Sequence, residues 1–349
     1  MAPGNVGIAV PDYEDYGIEG PYLGDRVFKY LDGEYPGKFE YIPERVKLGG
    51  DSTEETLTGE NVRERVVYVI HPTMPQVQAS THKMIAQEVA DDLLRSDASK
   101  VVLFDLYGRY YSYDKRKRRQ SLNARIVAED YENAGIRRVF TIEPHSEPLI
   151  LAFSVRCPLE PLSILGHLGR AYMDRYSLRD TTVCSPDIGG YARAERVADF
   201  LDLPLVGIRK RRSQEKSDES EVIEIVGDRS LVEGNDILMV DDVIRGGGTA
   251  CNAWKSLSDN YGARSCKMIV PHLELCGDAK DKIRESGIKL LGTNTVDHRF
   301  TEEEKKYIDV LDISEIIGKV IFRRSEGLSL KRFFKMDPHS GPVRMRKDV

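Results

Sequence analysis

Short apolar runs alternate along this chain with stretches in which apolar residues recur every three or four positions. Residues 66–70, 101–104 and 139–142 are continuous apolar runs of strand length. Between them, 75–95 carries Ile85, Val89 and Leu93 on one helical face, and 121–134 reads as a second helix. The pattern then returns with a helix over 162–174, a strand at 182–184, a helix over 191–201 and strands at 205–208 and 237–240. Ala250, Ala253, Trp254 and Leu257 fall at i, i+3, i+4 and i+7 of a further helix. Strands at 267–270, 288–291 and 308–311 follow, with a helix near 278–286 closed by Gly287 and a last helix from about Ser314. Upstream, 6–10 reads as a short strand, and Leu23, Val27, Phe28 and Leu31 as a helix face. This alternation predicts an α/β fold, with parallel sheets covered by helices on both faces. It falls into two halves joined near 147–160, expected as domains 1–150 and 151–334, with a loose polar tail over 335–349.

Composition narrows the class. A chain of 349 residues has room for two cores, and 40% hydrophobic with 31% charged residues is ordinary for a globular protein. A net charge of −6 argues against nucleic acid as a partner. No apolar run approaches membrane-spanning length, and the start lacks a basic-then-apolar signal, so a cytoplasmic protein without a membrane partner is expected. Cys157, Cys184, Cys251, Cys266 and Cys276 include no C-x-x-C pair and are odd in number. Neither a zinc site nor a disulfide framework is predicted; buried free thiols are.

Candidate chemistry concentrates after the 237–240 run. Asp241 and Asp242 stand at its carboxyl end, followed by Arg245, Gly246, Gly247, Gly248 and Thr249, where the next helix starts. Glycines let backbone N–H groups close around a phosphate, and a helix amino end adds partial positive charge. Paired carboxylates suit hydroxyl groups or a metal beside that phosphate. A plain strand-to-helix turn also uses Asp and Gly, but has no need of an acidic pair and Thr249 together. These residues resemble the phosphoribosyl diphosphate (PRPP) loop of type I phosphoribosyltransferases and of ribose-phosphate diphosphokinases (PRPP synthetases). The resemblance implies that Asp241 and Asp242 hold ribose hydroxyls and that the backbone from Arg245 to Thr249 holds the 5′-phosphate. The family usually has Asp-Thr-Gly-Gly-Thr where this chain has Arg245-Gly246-Gly247-Gly248-Thr249, so a cation replaces an acid.

Three other stretches admit two readings from their residues alone. His145, in Glu143-Pro144-His145-Ser146, is structural or functional. The run Ser185-Pro186-Asp187-Ile188-Gly189-Gly190 is a diphosphate- and metal-binding loop or an ordinary turn. Arg209-Lys210-Arg211-Arg212, running into polar 213–220, is a solvated face or a lid over phosphates. All three are placed as in PRPP synthetases, which carry Asp-Leu-His-Ala, Ser-Pro-Asp-x-Gly-Gly and a Lys-x-Arg pair at these points. The resemblance implies that His145 and Asp187 help hold Mg2+ on the nucleotide, and that Lys210 and Arg212 are the catalytic cations. Magnesium prefers oxygen, so the histidine ligand rests on the resemblance alone.

The family's base-contacting motifs have changed. Its Tyr-Ala-Arg-Gln-Asp-Arg-Lys segment aligns through Asp114, which puts Ser112 and Tyr113 where the Arg-Gln pair stands. Its Phe-Ser-Asp-Gly-Glu loop aligns with Gly49-Gly50-Asp51-Ser52-Thr53, which loses the aromatic and keeps one acid, Asp51; the second acid is absent unless Glu54 substitutes. The nucleotide-binding positions implied are therefore Asp51, Ser112 and Tyr113, with Tyr110, Tyr111 or Tyr113 as a replacement stacking face.

The resemblance covers about residues 49–334. It implies two doubly wound parallel-sheet domains of phosphoribosyltransferase-like type, with the site between them at the sheets' carboxyl ends. The nucleotide and metal side falls to 1–150, and the PRPP loop and catalytic loop to 151–334. The implied reaction moves a diphosphoryl group from ATP to the anomeric hydroxyl of ribose 5-phosphate, giving PRPP and AMP. Two alternatives stand beside it. A phosphoribosyltransferase would consume PRPP, but usually needs one α/β domain with a small hood. A non-catalytic regulatory homologue in a synthetase assembly is favoured by the changed base motifs and opposed by Lys210 and Arg212. The resemblance also implies a homo-oligomer, with dimers assembling further into hexamers.

Overall fold

Each of these apolar runs lies in or overlaps a strand of the computed structural model, and the strands sort into two separate sheets. The structure describes residues 5–49, 54–116, 119–212 and 221–334.

The first sheet contains β1 (Val6–Asp12), β2 (Phe39–Leu48), β3 (Glu54–Thr58), β4 (Val66–His71), β5 (Lys100–Asp105), β6 (Val139–Ile142) and β7 (Leu159–Leu162). Their order is β3-β2-β1-β4-β5-β6-β7, and all neighbours are parallel except the edge pair β2–β3. Helices α1 (Leu23–Glu34), α2 (Ala79–Arg95) and α3 (Asn123–Asn133) connect them. Strands β4, β5 and β6 are buried almost throughout, so their sequences are continuously apolar rather than alternating.

The second sheet contains β8 (Thr181–Ser185), β9 (Leu205–Arg212), β10 (Glu221–Val226), β11 (Asp236–Val240), β12 (Val243–Ile244), β13 (Ser265–Leu273), β14 (Lys289–Thr293) and β15 (Ile308–Leu311). The order is β10-β9-β8-β11-β13-β14-β15, with the short β12 also on β13. Helices α4 (Leu165–Arg175), α5 (Tyr191–Leu201), α6 (Gly248–Tyr261) and α7 (Ala279–Ser286) accompany it. Ala250, Ala253 and Leu257 of α6 enter a core with Ile237, Met239 and Ile283, as their spacing predicts.

The edges depart from the expectation of purely parallel sheets. Edge strands β3 and β10 are antiparallel, so each sheet is mixed. Strand β2 also escapes a search for apolar runs, because it alternates in burial and contains Pro43.

The chain groups into two units. Of the described residues, the first takes those up to Leu162, Asn294–His298 and those from Asp312 to Phe334; the second takes Ser163–Thr293 and Arg299–Leu311. The junction expected at 150 thus falls after β7, which pairs with β6. Helix α8 (Ser314–Ser325) and the short α9 (Lys331–Phe334) belong to the first unit, not to the second half of the sequence. The contacts explain it. Tyr35 stacks on Phe322 with centroids 3.7 Å apart, Arg26 pairs with Asp312 at 3.1 Å, and a Cβ on Gly318 would stand 2.4 Å from the Tyr30 ring. The tail expected from Lys335 lies outside the described residues.

Among the described residues no helix is long and apolar enough to cross a membrane. All five cysteines are free thiols; Cys157, Cys184 and Cys266 are buried, Cys251 partly so, and Cys276 is exposed against expectation.

Candidate active site

In the second sheet the chain winds from β8 outward to β9, then returns past β8 to β11 and continues the other way to β13, β14 and β15. At such a reversal the loops leaving the two strands diverge, and a crevice opens beyond their carboxyl ends. Two of the sequence motifs leave these very strands: 185–190 follows β8, and 241–249 follows β11. The turns lie against each other, since a Cβ on Gly190 would stand 3.1 Å from Ser185 Oγ and 3.6 Å from Asp241 Oδ1.

The chain beyond β11 is held on a rail made by β13. Asp241 N–H donates to Ile269 O at 3.2 Å, and His272 N–H donates to Asp242 O at 3.0 Å. Leu275 and Cys276 N–H then hold the carbonyls of Ile244 and Arg245, each at 3.0 Å. Gly247 caps α6 with φ 73°, in the left-handed region that suits glycine. Gly246 and Gly248 are exposed, and a Cβ on either would meet nothing within 4 Å. The fold itself does not demand glycine at 246 and 248; what glycine supplies there is room beside the backbone. Together with the first N–H groups of α6, which have no partner within the helix, this makes a cradle for an anion.

Asp242 is buried and Asp241 half-buried. Asp241 Oδ1 accepts the Asp242 N–H at 2.9 Å. Arg193, in the first turn of α5, places Nη1 3.2 Å from Asp241 Oδ1 and 3.4 Å from Asp242 Oδ1. Burial, and then the charge of Asp242, raise the Asp241 carboxyl well above the usual carboxylate range, while Arg193 pulls it back. Arg193 is absent from the residues expected at the site. Its sequence signal is a cation in the first turn of a helix, where the macrodipole opposes it and nearby anions must offset the cost. Arg245, the cation that replaces the family acid, donates from Nε to the buried Glu274 Oε2 at 2.7 Å.

Asp187 shapes its own turn, with Oδ1 accepting the Gly190 N–H at 2.9 Å and its carbonyl accepting from Ser185 Oγ at 2.6 Å. Among the described residues, no three His, Cys, Asp or Glu side chains gather into a metal cage. A half-exposed carboxylate engaged through one oxygen still fits Mg2+, which keeps several waters and takes one or two carboxylates plus substrate phosphates.

In the first unit, His145 follows β6 and is exposed. Two residues before it, Glu143 adopts φ 35° and donates its N–H to Leu162 O at 2.9 Å. Ser146 Oγ bonds the Asp114 carboxylate, which joins the His145 loop to the tyrosine-rich segment 107–114. Within that segment Tyr111 is buried, and its hydroxyl donates to Asp105 Oδ2 at 2.7 Å, as Tyr131 does at 3.0 Å. Tyr111 is therefore removed from the stacking candidates. Tyr113 is 51% exposed, while Tyr110 and Ser112 are half-buried. Asp51 lies outside the described residues.

The backbone of Lys210 and Arg212 belongs to β9, paired with Ile223 and Glu221 of β10. The expected loop therefore does not begin at Arg209, because 209–212 extends the strand. The side chains of Lys210 and Arg212, and residues 213–220, lie outside what the structure describes.

The phosphoribosyl transferase domain family matches residues 164–298, a span that contains β8, β11 and the loops that follow them. The relatives of the whole chain are more particular. The ribose-phosphate pyrophosphokinase of Rhizobium meliloti (strain 1021) is 31% identical over 278 residues, 79% of this chain and 86% of that protein. The one from Helicobacter hepaticus is 33% identical over 280 residues, 79% of this chain and 85% of that protein. The crystal structure of phosphoribosylpyrophosphate synthetase from Mycobacterium smegmatis aligns with a TM-score of 0.76 at 25% identity, covering 93% of this chain and 99% of that one. The chain belongs to the ribose-phosphate pyrophosphokinase family.

Proposed function

We propose that the protein is a Mg2+-dependent ribose-phosphate diphosphokinase that converts ribose 5-phosphate and ATP into PRPP and AMP. The observation that carries this is the paired carboxylates and open glycine cradle at the β8/β11 reversal, in a chain that belongs to this family. Asp241 and Asp242 take the ribose hydroxyls, and the backbone from Arg245 through Gly246, Gly247 and Gly248 to Thr249 takes the 5′-phosphate. The anomeric oxygen attacks the β-phosphorus in line; the new O–P bond forms as the bond from the β-phosphorus to the α–β bridging oxygen breaks, AMP leaves with the electron pair, and the hydroxyl proton passes to solvent. Little covalent help is needed, so positioning and charge neutralisation carry the rate. His145 and Asp187 would hold the metal, whose chemistry is to neutralise charge on the nucleotide phosphates. Lys210 and Arg212 stabilise charge as it moves between phosphates. Asp51, Ser112 and Tyr113 address the base. A cytoplasmic homo-oligomer built from dimers completes the proposal.

The change of the family's Arg-Gln pair to Ser112 and Tyr113 favours one second reading, a non-catalytic partner in a synthetase assembly. AMP release from Mg–ATP, measured with and without ribose 5-phosphate, separates the two. Sugar-dependent AMP with equimolar PRPP supports the enzyme; no AMP from the folded, metal-loaded protein leaves the regulatory reading.

A further inference from the structure

We infer that Arg193 is a positioning residue for the sugar, locking Asp241 and Asp242 into one arrangement that receives the ribose hydroxyls. The inference rests on the sugar-site reading above. One guanidinium nitrogen, Nη1, reaches both carboxylates, at 3.2 and 3.4 Å, and the Arg193 side chain is only 10% exposed. Two acids adjacent in sequence repel each other and burial already lifts the Asp241 carboxyl; without the shared cation one acid turns away or holds a proton more firmly still.

The cation comes from a different strand's helix. Arg193 stands in the first turn of α5, after β8, whereas the carboxylates follow β11. At that end of a helix the macrodipole disfavours a positive charge, so the acids hold Arg193 as firmly as it holds them. Gly190 keeps the approach open, because a Cβ there would come to 3.1 Å from Ser185 Oγ and 3.6 Å from Asp241 Oδ1. Arg193 reaches the pair from α5, and the backbone of Ile269 and His272 meets it from β13. Arg193 is the cation acting on Asp241, opposing burial and the Asp242 charge. A planar guanidinium with several donors suits a bridge between two carboxylates better than a point charge does.

The test uses the full-length Arg193→Gln and Arg193→Lys variants, with KM for each substrate, kcat, and the pH profile of kcat/KM for ribose 5-phosphate. Arg193→Gln is expected to raise the ribose 5-phosphate KM about tenfold or more, while the ATP KM stays within about twofold. The acid limb of the profile should move to higher pH, because the acid pair must then ionise without its cation. Arg193→Lys should restore the acid limb but only part of the KM. An unchanged sugar KM and acid limb in Arg193→Gln overturns the inference, as does an equal rise in both KM values. If Arg193→Gln fails to fold, the Asp241→Asn/Arg193→Gln double variant carries the test. Compared with Asp241→Asn alone, little further loss supports action through the pair, and a full additional loss refutes it. Failure of the wild-type protein to release AMP would sink the function itself, a result distinct from any of these.

Discussion

Glu44 offers a prediction whose sign and size come from one cluster of contacts. It lies in β2 with 0% exposure, and its Oε1 and Oε2 lie 3.1 and 3.0 Å from Thr58 Oγ1. The same hydroxyl is 2.9 Å from Asp92 Oδ2, which also accepts the Thr58 N–H at 2.7 Å. A hydroxyl has one hydrogen, so Thr58 cannot donate to both acids. If it serves Asp92, Glu44 must carry its own proton and donate to Thr58 Oγ1. Burial, helped by the Asp92 charge, pushes the Glu44 carboxyl up to about 8, against the Thr58 bond, which lowers it. The folded state thus keeps a proton that the unfolded chain sheds near pH 4.5. Stability from this group is full below that pH and is lost as pH rises toward 8. At about 1.4 kcal/mol per unit, the loss between pH 4.5 and pH 7 is on the order of 3 kcal/mol. Glu44→Gln keeps the volume, offers Thr58 an N–H and cannot ionise. It should match the wild type at pH 5 and melt several degrees higher at pH 7.5, at roughly 2–4 °C per kcal/mol. Thermal melts of both proteins followed by circular dichroism at pH 5, 6, 7 and 8 measure the difference, which cancels every other titrating group. An offset that does not grow with pH would show that Glu44 is ionised and that the proton count is wrong.

Three further outcomes concern catalysis. Lys210→Ala should lower kcat about a hundredfold or more with little change in ribose 5-phosphate affinity, since its charge is needed as charge shifts between phosphates; a near-normal kcat in steady-state assays returns 209–212 to a plain strand end. Asp241→Asn and Asp242→Asn should each weaken sugar use and leave Mg–nucleotide binding largely intact, and calorimetry showing lost nucleotide binding alone would reassign that aspartate. Because the exposed Tyr113 offers a stacking face where the family has Arg-Gln, GTP and CTP should serve at rates approaching that of ATP. Strict ATP dependence in kcat/KM would mean that Asp51, Glu54 or other residues read the adenine.

How much the sequence discloses depends on which physical signal each feature leaves. Buried parallel strands print as continuous apolar runs, and β4, β5, β6 and β11 were legible for that reason. Edge strands β3 and β10 print weakly, because a strand with a free side carries charge and alternates. The return of α8 to α1 leaves no local trace at all: Gly318 looks like any helical glycine until the Tyr30 ring stands against it. At the site, Asp241, Asp242 and the glycines are adjacent in sequence and could be read together. Arg193 could not, since about fifty residues separate it from the acids it bridges. Tyr111 shows the opposite error. A tyrosine in a polar run looks exposed, and only its bond to the buried Asp105 shows that it is a strut.

The two sheets put the same topological device to different uses. In the first, the reversal of strand order falls between β1 and β4, whose carboxyl ends carry Asp12-Tyr13 and His71-Pro72. A ligand crevice is expected there by the rule that fits the second sheet. The first unit fills it with its own side chains instead. Tyr13 and His71, both at 0% exposure, are joined through the hydroxyl and Nδ1 at 3.0 Å, and the His71 ring packs on His82 with centroids 3.8 Å apart. The Tyr22 hydroxyl accepts the Tyr13 N–H at 3.0 Å and donates to Asp12 Oδ1 at 2.9 Å. Burial pushes His71 down to about 4, so it stays neutral near pH 7 and serves as a packed, hydrogen-bonded ring. With that crevice closed, the first unit's candidate residues hang on the loops after β5 and β6, where Ser112, Tyr113 and His145 stand. Loops tolerate substitution better than strand ends at an open crevice.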